Sequence, residues 1–139
     1  MSKYTVEPTD YGLHLVFNGF VSPAEVAQMN EEIERAVGGL QEGFGVLVDM
    51  RANRAFSNEV AELLKTQVGI VKTRGMSRAA VVLQSAIMTL QARRITTESE
   101  ATQIIRFIDS SANSNWEKTA IDWISKGTEP PVRMMGGAL

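Results

Sequence analysis

Phe44, Gly45, Val46, Leu47 and Val48 form a near-continuous run of apolar or small residues, which leads into Asp49, Met50 and Arg51. No alternation between faces breaks it, so it predicts a strand covered on both sides by helices. A second run of this kind, Ala79-Ala80-Val81-Val82-Leu83, predicts another. The N-terminal part reads differently. Residues 4–8 form a short strand candidate ending in a proline, and the turn composition of Thr9-Asp10-Tyr11-Gly12 follows. Leu13, Leu15 and Phe17 then alternate with His14, Val16 and Asn18, the period of a strand with one wet face, so the two strands form a hairpin. Ile104, Ile105, Phe107 and Ile108 supply the last strand.

Helical patterns lie between these runs. Ser22 is an N-cap, Pro23 suits the first position, and Glu25 closes a capping box ahead of Val26, Met29, Ile33 and Val37. Gly38-Gly39 ends that helix. Ser57 caps the next, whose inner side holds Val60, Leu63, Leu64, Val68 and Val71, with Gly69 read as a close-packing position and Gly75 as the stop. Ser85 caps a third helix, read with Ile87, Leu90 and Ile95 inward and an end at Arg93-Arg94, before a polar loop over residues 96–101. Asp109, Ser110 and Ser111 compete to cap a fourth, in which Trp116, Ala120, Trp123 and Ile124 share a buried face. The order β-β-α-β-α-β-α-β-α predicts an α/β domain with a mixed, mostly parallel sheet of about five strands and four helices. That domain spans residues 1–126, and residues 127–139, rich in Gly, Pro and Met, read as a flexible tail.

Composition narrows the chemistry. At 139 residues and 44% hydrophobic the chain makes one globular domain. It has neither an apolar run long enough for a membrane span nor the apolar core of a signal peptide, and a cytoplasmic location is expected. Having no cysteine and a single histidine, it offers no disulfide, no thiolate and no cluster of metal spacing, and no metal or cofactor is expected. His14, on the polar face of a strand, reads as structural. Phosphate-binding glycine loops and a nucleophile elbow are missing too. Asp49 and Asp109 both close apolar strands and would make a carboxylate pair if they met, although such residues more often bond loop N–H groups.

Charge is the less ordinary feature. The net charge is −2, yet between Arg51 and Arg94 eight basic residues face only Glu59 and Glu62, giving +6 against −8 for the rest. Solvated helix faces balanced in space by the flanks are the simplest account. A binding role is the sharper one. In an open α/β sheet function gathers past the carboxyl ends of the strands. There, residues 49–58 form a polar loop feeding a helix N-terminus, where N–H groups suit an anion. The candidate site is therefore Asp49, Arg51, Arg54, Ser57 and Asn58, extended along the helix by Lys65 and Lys72. Six basic residues from Arg51 to Arg78, strung along a helix, suit an extended acidic partner better than one phosphate, and nucleic acid is not expected.

The element order, with Val46-Leu47-Val48-Asp49-Met50-Arg51, the Ala79–Leu83 run, and Phe107-Ile108-Asp109 leading to Ala120-Ile121-Asp122-Trp123-Ile124, resembles the STAS family. Its best-known members are the SpoIIAA-type anti-sigma-factor antagonists. The chain looks closest to the SpoIIAA-like branch, which is also similar to lipid-carrying CRAL-TRIO domains. This resemblance implies a non-enzymatic protein-interaction or regulatory module, binding a protein partner or a second copy of itself. It offers as the alternative a carrier or sensor of a small apolar or anionic lipid-like ligand. In phospho-switched members a D-S-S-G or D-T-S-G motif opens the helix after the central strand. Here that place reads Phe56-Ser57-Asn58-Glu59-Val60, with no glycine and Asn58 where the modified hydroxyl would sit, so the switch motif is not intact. Ser57 is the only hydroxyl left there for phosphorylation, and its cap role explains it better.

Overall fold

A computed structural model describes residues 3–131. The elements follow in the order β1 (Tyr4–Pro8), β2 (Gly12–Gly19), α1 (Pro23–Val37), β3 (Gly45–Asn53), α2 (Asn58–Thr73), β4 (Arg78–Leu83), α3 (Ala86–Glu98), β5 (Ile105–Asp109) and α4 (Trp116–Lys126). The strands lie side by side in chain order; β1 pairs antiparallel with β2, and every later pair is parallel. Each parallel step needs a crossover helix. Here α1, α2 and α3 fill that role, and all pack on one face. The expected five-stranded mixed sheet with four helices is the fold observed.

Alternation along the strands sorts the core into two layers. Leu13, Leu15, Phe17, Val46, Val48, Met50, Val81 and Phe107 point toward α1, α2 and α3. Leu47, Ala80, Val82 and Ile108 point the other way, against Ala120, Trp123 and Ile124 of α4. Helix α4 rests on β3, β4 and β5. The outer face of β2 is left with His14, Val16 and Asn18 partly exposed, which is why β2 alternates while residues 45–48 of β3 and 79–83 of β4 are apolar or small without a break. Trp123 is anchored as well as buried: its indole Nε1–H donates to the Ala79 carbonyl at 3.0 Å. Between α1 and α2 a buried amide pair does similar work. Gln67 donates to Asn30 at 3.0 Å, and Asn30 donates to the Leu63 carbonyl at 3.1 Å.

Several local expectations are corrected. Strand β3 runs on to Asn53, so Arg51 is a strand residue, not a loop residue. Helix α3 continues to Glu98 and buries Met88, Thr89, Ala92, Ile95 and Thr96. Ile87 and Leu90, expected inward, are 67% and 69% exposed. The Ser85 cap sets the helix phase, and Met88, Ala92 and Ile95 then share the inner stripe at the i, i+4, i+7 spacing. Helix α4 starts at Trp116, behind an Asn115 that makes no side-chain cap, because Asp109 is engaged by Ser111 in the preceding turn. Trp116 is half-buried instead of core. Gly69 is exposed, with open space where a Cβ would go, and nothing in the structure explains it. Past α4, Gly127 adopts a left-handed φ of 71° as the C-cap, and Glu129 binds Arg106 through two bonds of 2.8 and 2.9 Å. Pro130 is buried. The rest of the expected tail, residues 132–139, lies outside the described residues.

Two stability changes of opposite sign follow. Trp123→Ala is expected to cost about 3–5 kcal/mol, as for other buried aromatic truncations. Gly69→Ala, on an exposed helical site with room for a methyl group, is expected to gain about 0.4–1 kcal/mol. Urea melts of both variants check this, and full stability in Trp123→Ala would remove it from the core.

Candidate functional site

Because α1, α2 and α3 each follow the carboxyl end of a strand, their N-termini open on one edge of the sheet. Three serines cap them there: Ser22 accepts from Glu25 N–H, Ser57 from Val60 N–H and Ser85 from Met88 N–H. These caps satisfy orphan donors of the first turn and hold each loop to the edge.

Asp49 sits on β3 one residue beyond the run of apolar side chains, on the α4 side of the sheet. Arg51, two residues on, shares that side. The guanidinium grips the carboxylate through Nε and Nη2 at 2.9 and 2.8 Å, and the Arg51 backbone N–H donates to the same carboxylate at 3.0 Å. The guanidinium also lies 4.1 Å from the ring centroid of Trp116. Burial of Asp49 pushes its pKa up. The hydrogen bonds and charge of Arg51 outweigh that and hold the carboxyl below the usual carboxylate range. Val16, Asn18, Ala52 and Gln84 complete an open hollow of about 470 Å³ around this pair.

The other predicted residues are not gathered there. Ser57, Asn58 and Lys65 line a groove of about 360 Å³ between α2 and α3. Lys65 pairs with Glu62 and Glu98, Lys72 donates to the Glu100 carbonyl at 2.8 Å, and Arg74 pairs with Glu34 at 2.7 Å. The basic run is therefore largely matched within the fold. Arg54 differs: it is exposed, lies 5.6 Å from the Phe20 ring centroid, and makes no ion pair among the described residues. Asp49, within β3, and Asp109, at the end of β5, lie on strands separated by β4, and each is held by neighbouring donors, so they form no carboxylate pair. Among the described residues no group of three His, Asp or Glu side chains is placed to hold a metal ion.

Two features escaped the sequence reading. Asn53 is buried at the end of β3, and neither its amide nitrogen nor its oxygen has a hydrogen-bond partner. The second is an apolar cavity of about 60 Å³ between the sheet and helices α2 and α3, lined by Val48, Met50, Leu64, Ala92, Ile95 and Phe107 among others. The small inner side chains of α3 were the available signal for it.

The Asp49–Arg51 pair makes stability pH-dependent in a defined sense. A folded-state pKa below the unfolded one adds stability above the unfolded value, near 3.9, which is lost as pH falls through the folded pKa. Arg51→Met leaves the burial and removes the charge, so it should destabilise at neutral pH and shrink or reverse the acid loss of stability, because a buried Asp49 without its partner is relieved by protonation, as read by urea melts from pH 3 to 7. Ser57→Ala is expected to lose about 1 kcal/mol and Ser57→Asp to keep wild-type stability, since aspartate also caps. Stoichiometric phosphate on Ser57 in protein from the native host would overturn the cap as its main role.

No protein-family description matches the chain, and no curated protein matches it. The solved structure of an uncharacterised protein of the DUF3478 family from Shewanella loihica, described as having a SpoIIAA-like fold, is similar to it. The likeness covers 87% of this chain and 91% of that one, with a TM-score of 0.61 and 17% sequence identity. At that identity the likeness speaks for architecture alone: the chain has the SpoIIAA-like fold.

Proposed function

We propose that the protein is a non-enzymatic docking module that works by binding a partner surface with the carboxyl edge of its sheet. The observation behind this reading is the placement of exposed apolar side chains. Among the described residues, Phe20, Ile87 and Leu90 are the large hydrophobic side chains most open to solvent, and all three follow carboxyl ends of strands. Exposed apolar residues grouped at one end of a domain mark an interaction surface more often than scattered ones do. The basic face of α2 is a poorer candidate, because an acidic partner would have to displace carboxylates and a carbonyl already bound to Lys65, Lys72 and Arg74. No phosphorylation switch belongs to this reading.

The apolar cavity supports a second reading, a carrier of a small apolar ligand. Its size limits that reading. An engineered cavity of about 150 Å³ holds benzene, so about 60 Å³ admits only a few heavy atoms unless α3 moves outward.

The docking reading is tested with the full chain in its native host. Gently lysed cells are fractionated by size for the wild type, a Phe20→Ser/Leu90→Ser variant and a Lys72→Gln variant. Wild type and Lys72→Gln should run heavier than the 15.2 kDa monomer, and the double variant as monomer with an unchanged melting temperature. A wild type that runs only as monomer would overturn it.

A further inference from the structure

Two spaces in the helix layer share a wall. The first is the buried cavity of about 60 Å³ between the sheet and helices α2 and α3. The second is the open groove of about 360 Å³ between the same two helices. Phe56 and Ile95 line both, so these two side chains form the partition. Ile95 belongs to the inner stripe of α3 and is buried. Phe56 is only half-buried, in the connection between β3 and α2. Its backbone N–H donates to Gln91 Oε1 at 3.3 Å, a long distance for an amide donor. Phe56 is thus the movable half of the wall.

The two spaces differ in chemistry. Of the side chains lining the cavity only Gln67 and Thr96 are polar, and the Gln67 amide already donates to Asn30. The groove has an apolar floor of Phe56, Ala61 and Ile95 under a polar rim. Charges on that rim are matched to one another: Lys65 pairs with Glu62 and Glu98, and Arg94 with Glu98. The α2 N-terminus beside it is served by the Ser57 cap and by Glu59 in the first turn. Among the described residues, the Asn58 amide and Gln91 Nε2 have no partner within the chain. The hydrogen-bonding groups left free in the groove are therefore uncharged amides.

Resting on the apolar-ligand reading above, and independent of the docking edge, we propose that cavity and groove are one binding site with Phe56 as its door. The ligand is a small uncharged amphiphile. Its short alkyl tail enters the cavity, and its hydroxyl head bonds the Asn58 and Gln91 amides. Apolar walls with a few placed polar groups suit such a molecule. An ionic head would have to displace a partner from a settled ion pair. Size sets the tail. A cavity of about 150 Å³ holds benzene, so the closed cavity takes about two or three carbon atoms. The space left by a displaced Phe56 ring extends this, and helix α3 need not move.

The test is amide NMR of the full chain under xenon pressure and with hexanol, hexanoate or hexylamine. Xenon and hexanol should each shift the amides of Ala92, Ile95 and Phe107, and hexanol should displace xenon. Hexanoate and hexylamine should bind at least tenfold more weakly than hexanol. Phe56→Ala, which removes the door, should bind hexanol several-fold more tightly. Ala92→Leu, which fills the cavity, should lose at least tenfold for both xenon and hexanol. Melting temperatures are checked first, and the xenon competition decides if Ala92→Leu does not fold. Hexanol that leaves those amides unmoved, or binds without displacing xenon, overturns the joined site. A Phe56→Ala variant that binds no better than wild type overturns the door. Hexanoate or hexylamine binding as tightly as hexanol overturns the uncharged head. If xenon binds and hexanol does not, the cavity reading stands and this site falls. If neither binds, both fall.

Discussion

Burial of β3 on both faces is the constraint from which the rest of the architecture follows. From Gly45 to Met50 every residue of this strand is buried. Its even-numbered side chains Val46, Val48 and Met50 enter the three-helix layer, while Leu47 enters the α4 layer. A strand covered twice has no place for a side chain where a helix crosses it closely. Gly45 marks that place: a Cβ there would lie 2.1 Å from Cγ2 of Ile124, well inside contact distance. Glycine therefore lets α4 settle on the sheet, and Trp123 then reaches the Ala79 carbonyl of β4.

The same double burial decides what kind of site the protein can have. A carboxylate at the end of such a strand is costly to bury unless it is paired. Asp49 is paired at once by Arg51, on its own face, and Asp109 by the turn that follows it. Both carboxylates are used within the chain, with β4 between them. What the carboxyl edge keeps available is apolar surface and one arginine without a carboxylate partner, groups suited to binding and not to proton transfer.

Features set by local chemistry were legible in the sequence, and features set by tertiary competition were not. Ser22, Ser57 and Ser85 announce their helices because a cap acts within three residues. The doubly apolar runs announce β3 and β4 because alternation fails there. Helix α3 misled for a physical reason. Ile87 and Leu90 outrank Thr89, Ala92 and Thr96 in hydrophobicity, so a pattern reading turns the large residues inward. The space over β4 and β5 is taken by Val81, Phe107 and Met88, and small residues fit beneath the helix. The buried threonines are tolerated where the helix itself serves them, as Thr89 does by donating to the Ser85 carbonyl at 2.9 Å. The pairing of Lys65 with Glu98, from another helix, was equally out of reach, since the two meet only through the α2–α3 packing. A block of positive charge in the sequence thus became an ordinary ion-pair network in space.

Arg51 and Arg54 show how finely the candidate site depends on where β3 ends. The strand lasts through Asn53, so Arg51 keeps the parity of Asp49 and is drawn under Trp116. There it links the end of β3 to the first turn of α4. Arg54 lies just beyond the last strand residue, where parity no longer fixes its direction, although its backbone N–H still reaches the Gly19 carbonyl at 3.0 Å. That one bond holds the β3–α2 loop beside the β2–α1 loop and brings the Arg54 guanidinium over Phe20. Two arginines three positions apart are in this way given different work, one structural and one facing outward. The division arises from strand length, which apolar patterning alone had underestimated by the four residues from Met50 to Asn53.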